Sequence, residues 1–335
     1  MPTPRALSAA LLLAAAAACA APSLSPAPFA DTAAHRASRI AAAPGVRIEV
    51  LDWGGTGPAL VFLAGGSNTG HMFDTFAPRF TDRFHVLALT RRGLGASDRP
   101  NPGPYDAATL AADVKAVLDS LGIARAVLVG HSFGGTEVSW FAAAYPERVE
   151  KLVYLDSNCA GCSPAGAGRA FRPPPPPLTG RDTLTPAGMA AYQRRTLGFS
   201  FPEAELRSIT RYGDDGTVRN PVPLYVREAL SAGSGPGHPG YARVTAPTLG
   251  IFAERATVEQ EFWWAARMSR GERTLAQVYL DTYLPARRAA REQFARALPN
   301  ARVAVIPGAQ HFIFLSHPER TEALMREFLL PPRVP

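Results

Sequence analysis

Lysine is almost missing from this chain: only Lys115 and Lys151 stand among its 35 basic residues, and arginine supplies the rest. Cysteine is nearly as scarce, with three in 335 residues, which leaves room for at most one disulfide within the chain. No basic run occurs, nor any interleaving of arginine with aromatics, so the net charge of +7 reads as solvated surface and not as a nucleic-acid groove. Apart from Ala6 to Ala18 no apolar stretch approaches the roughly 20 residues that a membrane span requires, and that one is too short and too rich in alanine. Internal repeats are absent as well.

What is present begins with an export pattern. Arg5, the alanine and leucine stretch Ala6 to Ala18 and the small residues around Ala18-Cys19-Ala20 follow the order of a secretory signal, expected over residues 1–21. Cleavage would give a periplasmic or secreted protein. The alternative is a lipid anchor on Cys19, although the leucine usual three residues before such a cysteine is missing. Residues 22–44, rich in Ala, Pro and Ser, are expected to be a tether. The remainder, residues 45–335, is long enough for one large core plus an inserted piece.

The centre of that remainder is Ala126 to Gly135, Ala-Val-Leu-Val-Gly-His-Ser-Phe-Gly-Gly. The apolar, β-branched run Val127 to Val129 predicts a strand buried on both faces, and Glu137 to Tyr145 carries apolar residues at helical spacing. Ser132 therefore sits on the bend of a Gly-x-Ser-x-Gly pattern in strand, turn, helix context. The two glycines suit a turn too tight for a Cβ, and the strained serine is expected to lift Oγ above the sheet edge. The N–H of Phe133 would then face the same space, at the positive end of the new helix.

Around this segment strands and helices alternate. Buried or half-buried strands are predicted at Val46–Leu51 (an edge), Ala59–Leu63, Phe84–Leu89, Val149–Leu155, Pro247–Ala253 and Arg302–Pro307. Helices are predicted at Met72–Phe80, Thr109–Leu121 and Pro318–Leu329, with helical material from Thr257 to Leu298. This spacing implies right-handed crossovers and a mainly parallel α/β sheet with its working site at the carboxyl edge. The alternation breaks for residues 157–245, too long for a bare loop and so expected to be an inserted helical cap. It carries the polyproline run Pro173–Pro177 and helical patterns at Thr185–Leu197, Pro202–Tyr212 and Val222–Ala232 before Gly233–Gly240 returns the chain to the sheet.

Three markers in order, the Gly130-His131-Ser132-Phe133-Gly134-Gly135 elbow, the segment Arg92 to Pro100 and Gly308-Ala309-Gln310-His311 before a helix, resemble the α/β-hydrolase superfamily. The resemblance covers nearly everything after residue 45. It implies an α/β-hydrolase fold, the chain order nucleophile, acid, histidine, a cap after the strand ending at Leu155, and no cofactor or metal. Ser132 is then the expected nucleophile and His311 its base. The other histidines have weaker claims, His131 being expected to pack under the turn.

The acid departs from the common pattern, because the usual position after the strand at Pro247–Ala253 is Ala256. Two candidates follow: Asp156, where some members such as haloalkane dehalogenases keep their acid, and Glu254, two residues short of the usual site. The emptiness of 256 favours Asp156. The oxyanion hole is expected from the N–H groups of Phe133 and Gly66, although the usual His-Gly-x-Pro is here Ala64-Gly65-Gly66-Ser67, which lacks the residues that stiffen that loop.

A serine nucleophile argues against dehalogenase and epoxide-hydrolase chemistry, which in this superfamily uses aspartate. The expected partner is a small, partly apolar ester, with Phe171, Tyr192, Phe199, Phe201, Tyr212, Tyr225, Trp263 and Trp264 available around the cap. The same residues would serve an aminopeptidase, a lactonase or a carbon–carbon bond hydrolase, and a non-catalytic binding protein is the rival from another class. Cys159-Ala160-Gly161-Cys162 lacks a thioredoxin-like setting and is expected to form a small disulfide stiffening the cap hinge, with roughly 2 kcal/mol as its ceiling.

Overall fold

A computed structural model describes residues 31–157, 172–213, 217–233, 241–298 and 300–331. The expected export signal, Cys19, the early tether, the Cys159–Cys162 pair, Phe171 and residues 234–240 lie outside the described residues.

Ten strands run in chain order: β1 (Arg36–Ala43), β2 (Val46–Gly54), β3 (Ala59–Leu63), β4 (His85–Thr90), β5 (Ala126–His131), β6 (Val149–Leu155), β7 (Arg211–Tyr212), β8 (Val218–Arg219), β9 (Thr248–Glu254) and β10 (Ala301–Pro307). Eight of them form one sheet in the order β1-β2-β4-β3-β5-β6-β9-β10, and β7 pairs only with β8. From β4 onward every pairing in the large sheet is parallel, while β1 and β2 join antiparallel. The chain has the α/β-hydrolase fold.

Burial on both faces explains the unbroken apolar strands. Along β3, Ala59, Val61 and Leu63 enter one core and Leu60 and Phe62 the other, as side chains that alternate across a sheet must. Helices α1 (Ala107–Ser120) and α2 (Phe133–Ala144) cover the first face through Val114, Val117, Leu118, Val138 and Phe141. The opposite core holds Phe73, Phe76 and Phe80 together with Phe314 of α9 (Ile313–Ser316) and Met325 of α10 (Pro318–Leu329). Between β6 and β9 the described chain forms α3 (Gly180–Thr183), α4 (Pro186–Leu197), α5 (Glu203–Ile209), the β7–β8 ribbon and α6 (Leu224–Gly233). Between β9 and β10 come α7 (Val258–Glu261) and the long α8 (Arg270–Ala297), which opens on a Ser269–Glu272 capping box.

One expectation needs correcting. The stretch 22–44 is not tether throughout, because residues 36–43 form β1, which pairs with Val46 to Asp52 and displaces β2 from the edge. Gly45, at φ 71°, makes the turn between them. β1 is largely exposed and small-residued, so its identity comes from backbone pairing and not from any apolar alternation.

Registers gather the site. Gly130 lies beside Leu63 and Tyr154, His131 beside Leu155, Leu155 beside Ile251, and Pro307 beside Glu254. The residues that follow β3, β5, β6 and β10 therefore emerge along one carboxyl edge, and they include Gly66, Ser132, Asp156 and His311.

Candidate active site

Ser132 caps α2 with φ 51° and ψ −117°, and its side chain makes no capping hydrogen bond, so Oγ is not spent on the helix. Asp156, at φ 43°, is the other non-glycine residue with positive φ among those described. Such conformations cost on the order of 1–3 kcal/mol each and persist only where neighbours hold them. Here the Ser132 N–H donates to the Leu155 carbonyl at 3.2 Å, and the Ser157 hydroxyl donates to the Ser132 carbonyl at 2.5 Å. The elbow glycines are required by contact: a Cβ on Gly134 would run into the Leu63 carbonyl, and one on Gly130 into the backbone of Gly134.

His311 follows β10 and meets Asp156, Nδ1 to Oδ2, at 2.7 Å. Asp156 is 2% exposed; its second oxygen accepts from the Ala253 N–H at 2.9 Å and from the Arg287 guanidinium of α8. Burial pushes the Asp156 carboxyl up, but Arg287, His311 and Arg255 outweigh it and hold the group well below the usual carboxylate range. Glu254, the alternative acid, is turned away: Arg288 and Arg291 each reach it at 2.8 Å. The hydrogen bond from Arg288 and the charge of Arg291 hold its carboxyl down at about 2.

His131 does pack under the turn, fully buried. Burial and the neighbouring His311 pull it down to about 3. It is therefore neutral at pH 7, and its Nε2–H donates to the His311 carbonyl at 3.1 Å. The two imidazoles lie 4.7 Å apart, centroid to centroid. His131 thus supports the backbone that carries His311.

The loop after β3 has a clamp that replaces its missing histidine and proline. Arg91, buried at the end of β4 and paired with Glu137 at 2.9 Å, donates to the Gly65 carbonyl at 2.9 Å and also to those of Ala64 and Gly66. In a trans peptide the carbonyl and the following N–H point in opposite directions. Tying the Gly65 carbonyl to Arg91 therefore turns the Gly66 N–H away from the arginine. Two residues on, the buried Glu205 of α5 accepts from Asn68 Nδ2 at 2.8 Å, from the Thr69 N–H at 3.2 Å and from the Thr69 hydroxyl. Burial raises the Glu205 carboxyl to about 7 against those hydrogen bonds. Nothing in the sequence spacing marks Arg91, Glu137, Glu205 or Arg287 as members of this site.

Of the candidate aromatics, Phe199 and Phe201 reach Phe312, next to His311, at 6.0 and 4.8 Å. Trp264 is core, packed on Phe262 at 5.3 Å. Trp263 is exposed, and Tyr192 and Tyr225 spend their hydroxyls on the carbonyls of Pro176 and Arg99. A cavity of about 190 Å³ opens on Gly66, Ser67, Leu94, Phe133, Arg227, Leu230 and Ser231.

Residues 58–200 match the family model described as alpha/beta hydrolase fold. A 2-(acetamidomethylene)succinate hydrolase of Mesorhizobium japonicum is 36% identical over 102 residues, 30% of this chain and 36% of that one. A serine hydrolase-like protein of Homo sapiens is 33% identical over 118 residues, 35% of this chain and 58% of its own length. The chain thus spans between about a third and three fifths of those two relatives. Among solved structures, that of E-2-(acetamidomethylene)succinate hydrolase superposes with a TM-score of 0.65 at 24% identity, over 88% of this chain and 99% of the other. Among the described residues no helix is long and apolar enough to cross a membrane.

Proposed function

We propose that this chain, which belongs to the α/β-hydrolase superfamily, is a serine hydrolase that cleaves a carboxylic ester or related acyl bond of a small, partly apolar substrate. The observation that carries the reading is the 2.7 Å contact between His311 and the buried Asp156, assembled at the strand edge that carries the strained Ser132. In the proposed cycle Asp156 fixes the tautomer with the proton on His311 Nδ1, leaving Nε2 as the base that takes the Ser132 proton. Oγ then attacks the substrate carbonyl, and the developing oxyanion accepts hydrogen bonds from the N–H groups of Phe133 and Gly66. Each donor is worth on the order of 3 kcal/mol to the transition state. His311 protonates the leaving group, and water repeats the sequence on the acyl-enzyme.

Arg287 supports this assignment. Were Asp156 to become protonated it would lose its charge-assisted bond to the imidazolium, and the guanidinium beside it keeps it ionised. Residues 1–21 remain our reading of an export signal, which would put the reaction in the periplasm or outside the cell.

The test is covalent labelling. A fluorophosphonate should modify the full chain at Ser132, mapped by peptide mass, and leave Ser132→Ala unlabelled. Equal labelling of both, or none of the wild type, would contradict the proposal.

A further inference from the structure

We infer that the cavity beside Gly66 and Phe133 is a subsite for a carboxylate on the acyl part of the substrate, with Arg227 as its cation. Three of its lining residues, Arg227, Leu230 and Ser231, stand at i, i+3 and i+4 of α6 and so share one helix face. That face is held in place from below. Val226, fully buried, packs with Leu94, Tyr105 and Val222, and the hydroxyl of Tyr225 donates to the Arg99 carbonyl at 3.0 Å.

Arg227 is the one charged residue among those lining the cavity. Other arginines near the reaction edge are engaged: Arg91 pairs with Glu137, Arg287 with Asp156, Arg255 and Arg172 share Glu261, the latter at 3.4 Å, and Arg99 donates to the Gly93 and Gly95 carbonyls. Arg227 has no carboxylate partner among the described residues. Its guanidinium and the hydroxyls of Ser67 and Ser231 supply donors, while Leu94 and Leu230 supply an apolar wall. One unpaired cation matches one carboxylate, which it can hold through two parallel hydrogen bonds.

Which end of the substrate enters rests on the serine-hydrolase reading above. The leaving group must lie against His311, which has to protonate it, and His311 does not line this cavity. The acyl portion is left to fill it. The substrate class is therefore a short acyl chain ending in a carboxylate, as in a half-ester of a four- or five-carbon diacid.

The test compares kcat/KM for mono-p-nitrophenyl glutarate and the neutral p-nitrophenyl valerate, using the full chain, Arg227→Gln, Arg227→Lys and Arg83→Gln. Arg83 lies at the opposite end of β4 and controls for the general positive charge. We expect the glutarate-to-valerate ratio to fall about ten- to a hundredfold in Arg227→Gln, the range for a hydrogen-bonded charge pair. Arg227→Lys should recover part of it, and Arg83→Gln should keep it. A wild-type ratio at or below one, or a ratio indifferent to Arg227→Gln, would overturn the subsite. Calorimetric binding of glutarate itself keeps the question separate from turnover. If neither ester is cleaved and Ser132 does not label, the hydrolase reading falls, yet glutarate binding weakened tenfold by Arg227→Gln still supports the subsite and unaltered binding refutes it.

Discussion

Glu205 offers the sharpest physical prediction. Its carboxyl is fully buried, and its value of about 7 lies well above the ordinary 4.5. Desolvation is the largest cause, and the hydrogen bonds from Thr69 and Asn68 and the charge of His71 oppose it. A carboxyl with a raised folded-state value binds its proton more tightly folded than unfolded. Its stabilising share is complete below about 4.5 and is lost as pH rises towards 7, with a ceiling of about 3 kcal/mol across that window. His131 works in the opposite sense: its folded value of about 3 means that stability rises with pH up to about 6.5. The test is therefore a difference curve. Urea unfolding of the full chain and of Glu205→Gln between pH 4.5 and 8 should show the variant's relative disadvantage shrinking by a large part of that 3 kcal/mol as pH rises. A difference that stays flat, or grows, would contradict a raised Glu205 value.

Other predictions concern the site directly. Asp156→Asn should cost up to about 10⁴ in kcat, whereas Glu254→Gln, which only frees Arg288 and Arg291, should change the rate by less than about tenfold; steady-state kinetics on one ester separates them. Arg91→Lys keeps a cation beside Glu137 but cannot hold three carbonyls, so kcat should fall about tenfold or more with a smaller change in KM. Gly134→Ala meets the Leu63 carbonyl and should lose at least about 2 kcal/mol of stability in chemical denaturation.

Most of the site was legible because its signals are local. A buried strand ending in glycine, a serine and a helix can be seen in ten residues, and the same holds for the Gly308–His311 segment after β10. Asp156 could be preferred over Glu254 from Ala256 alone, whereas the capture of Glu254 by two arginines of α8 is a tertiary fact. The same limit hid Arg91 and Glu205. Each acts on the loop after β3 from a distant part of the chain, and a lone arginine or glutamate has no periodicity to betray it. β1 escaped for a different reason, since a strand that pairs at the edge and stays largely exposed needs no apolar pattern.

Acyl transfer through Ser132 is the step on which the proposed function turns. Hydrolysis of p-nitrophenyl acetate by the purified full chain, measured beside Ser132→Ala, tests it most directly. Turnover in the wild type should fall to the uncatalysed background in the variant while the fold, followed by circular dichroism, is retained. Equal rates for the two proteins, or a wild type inert towards short, long and lactone esters alike, would contradict it and favour a protein that binds without catalysis.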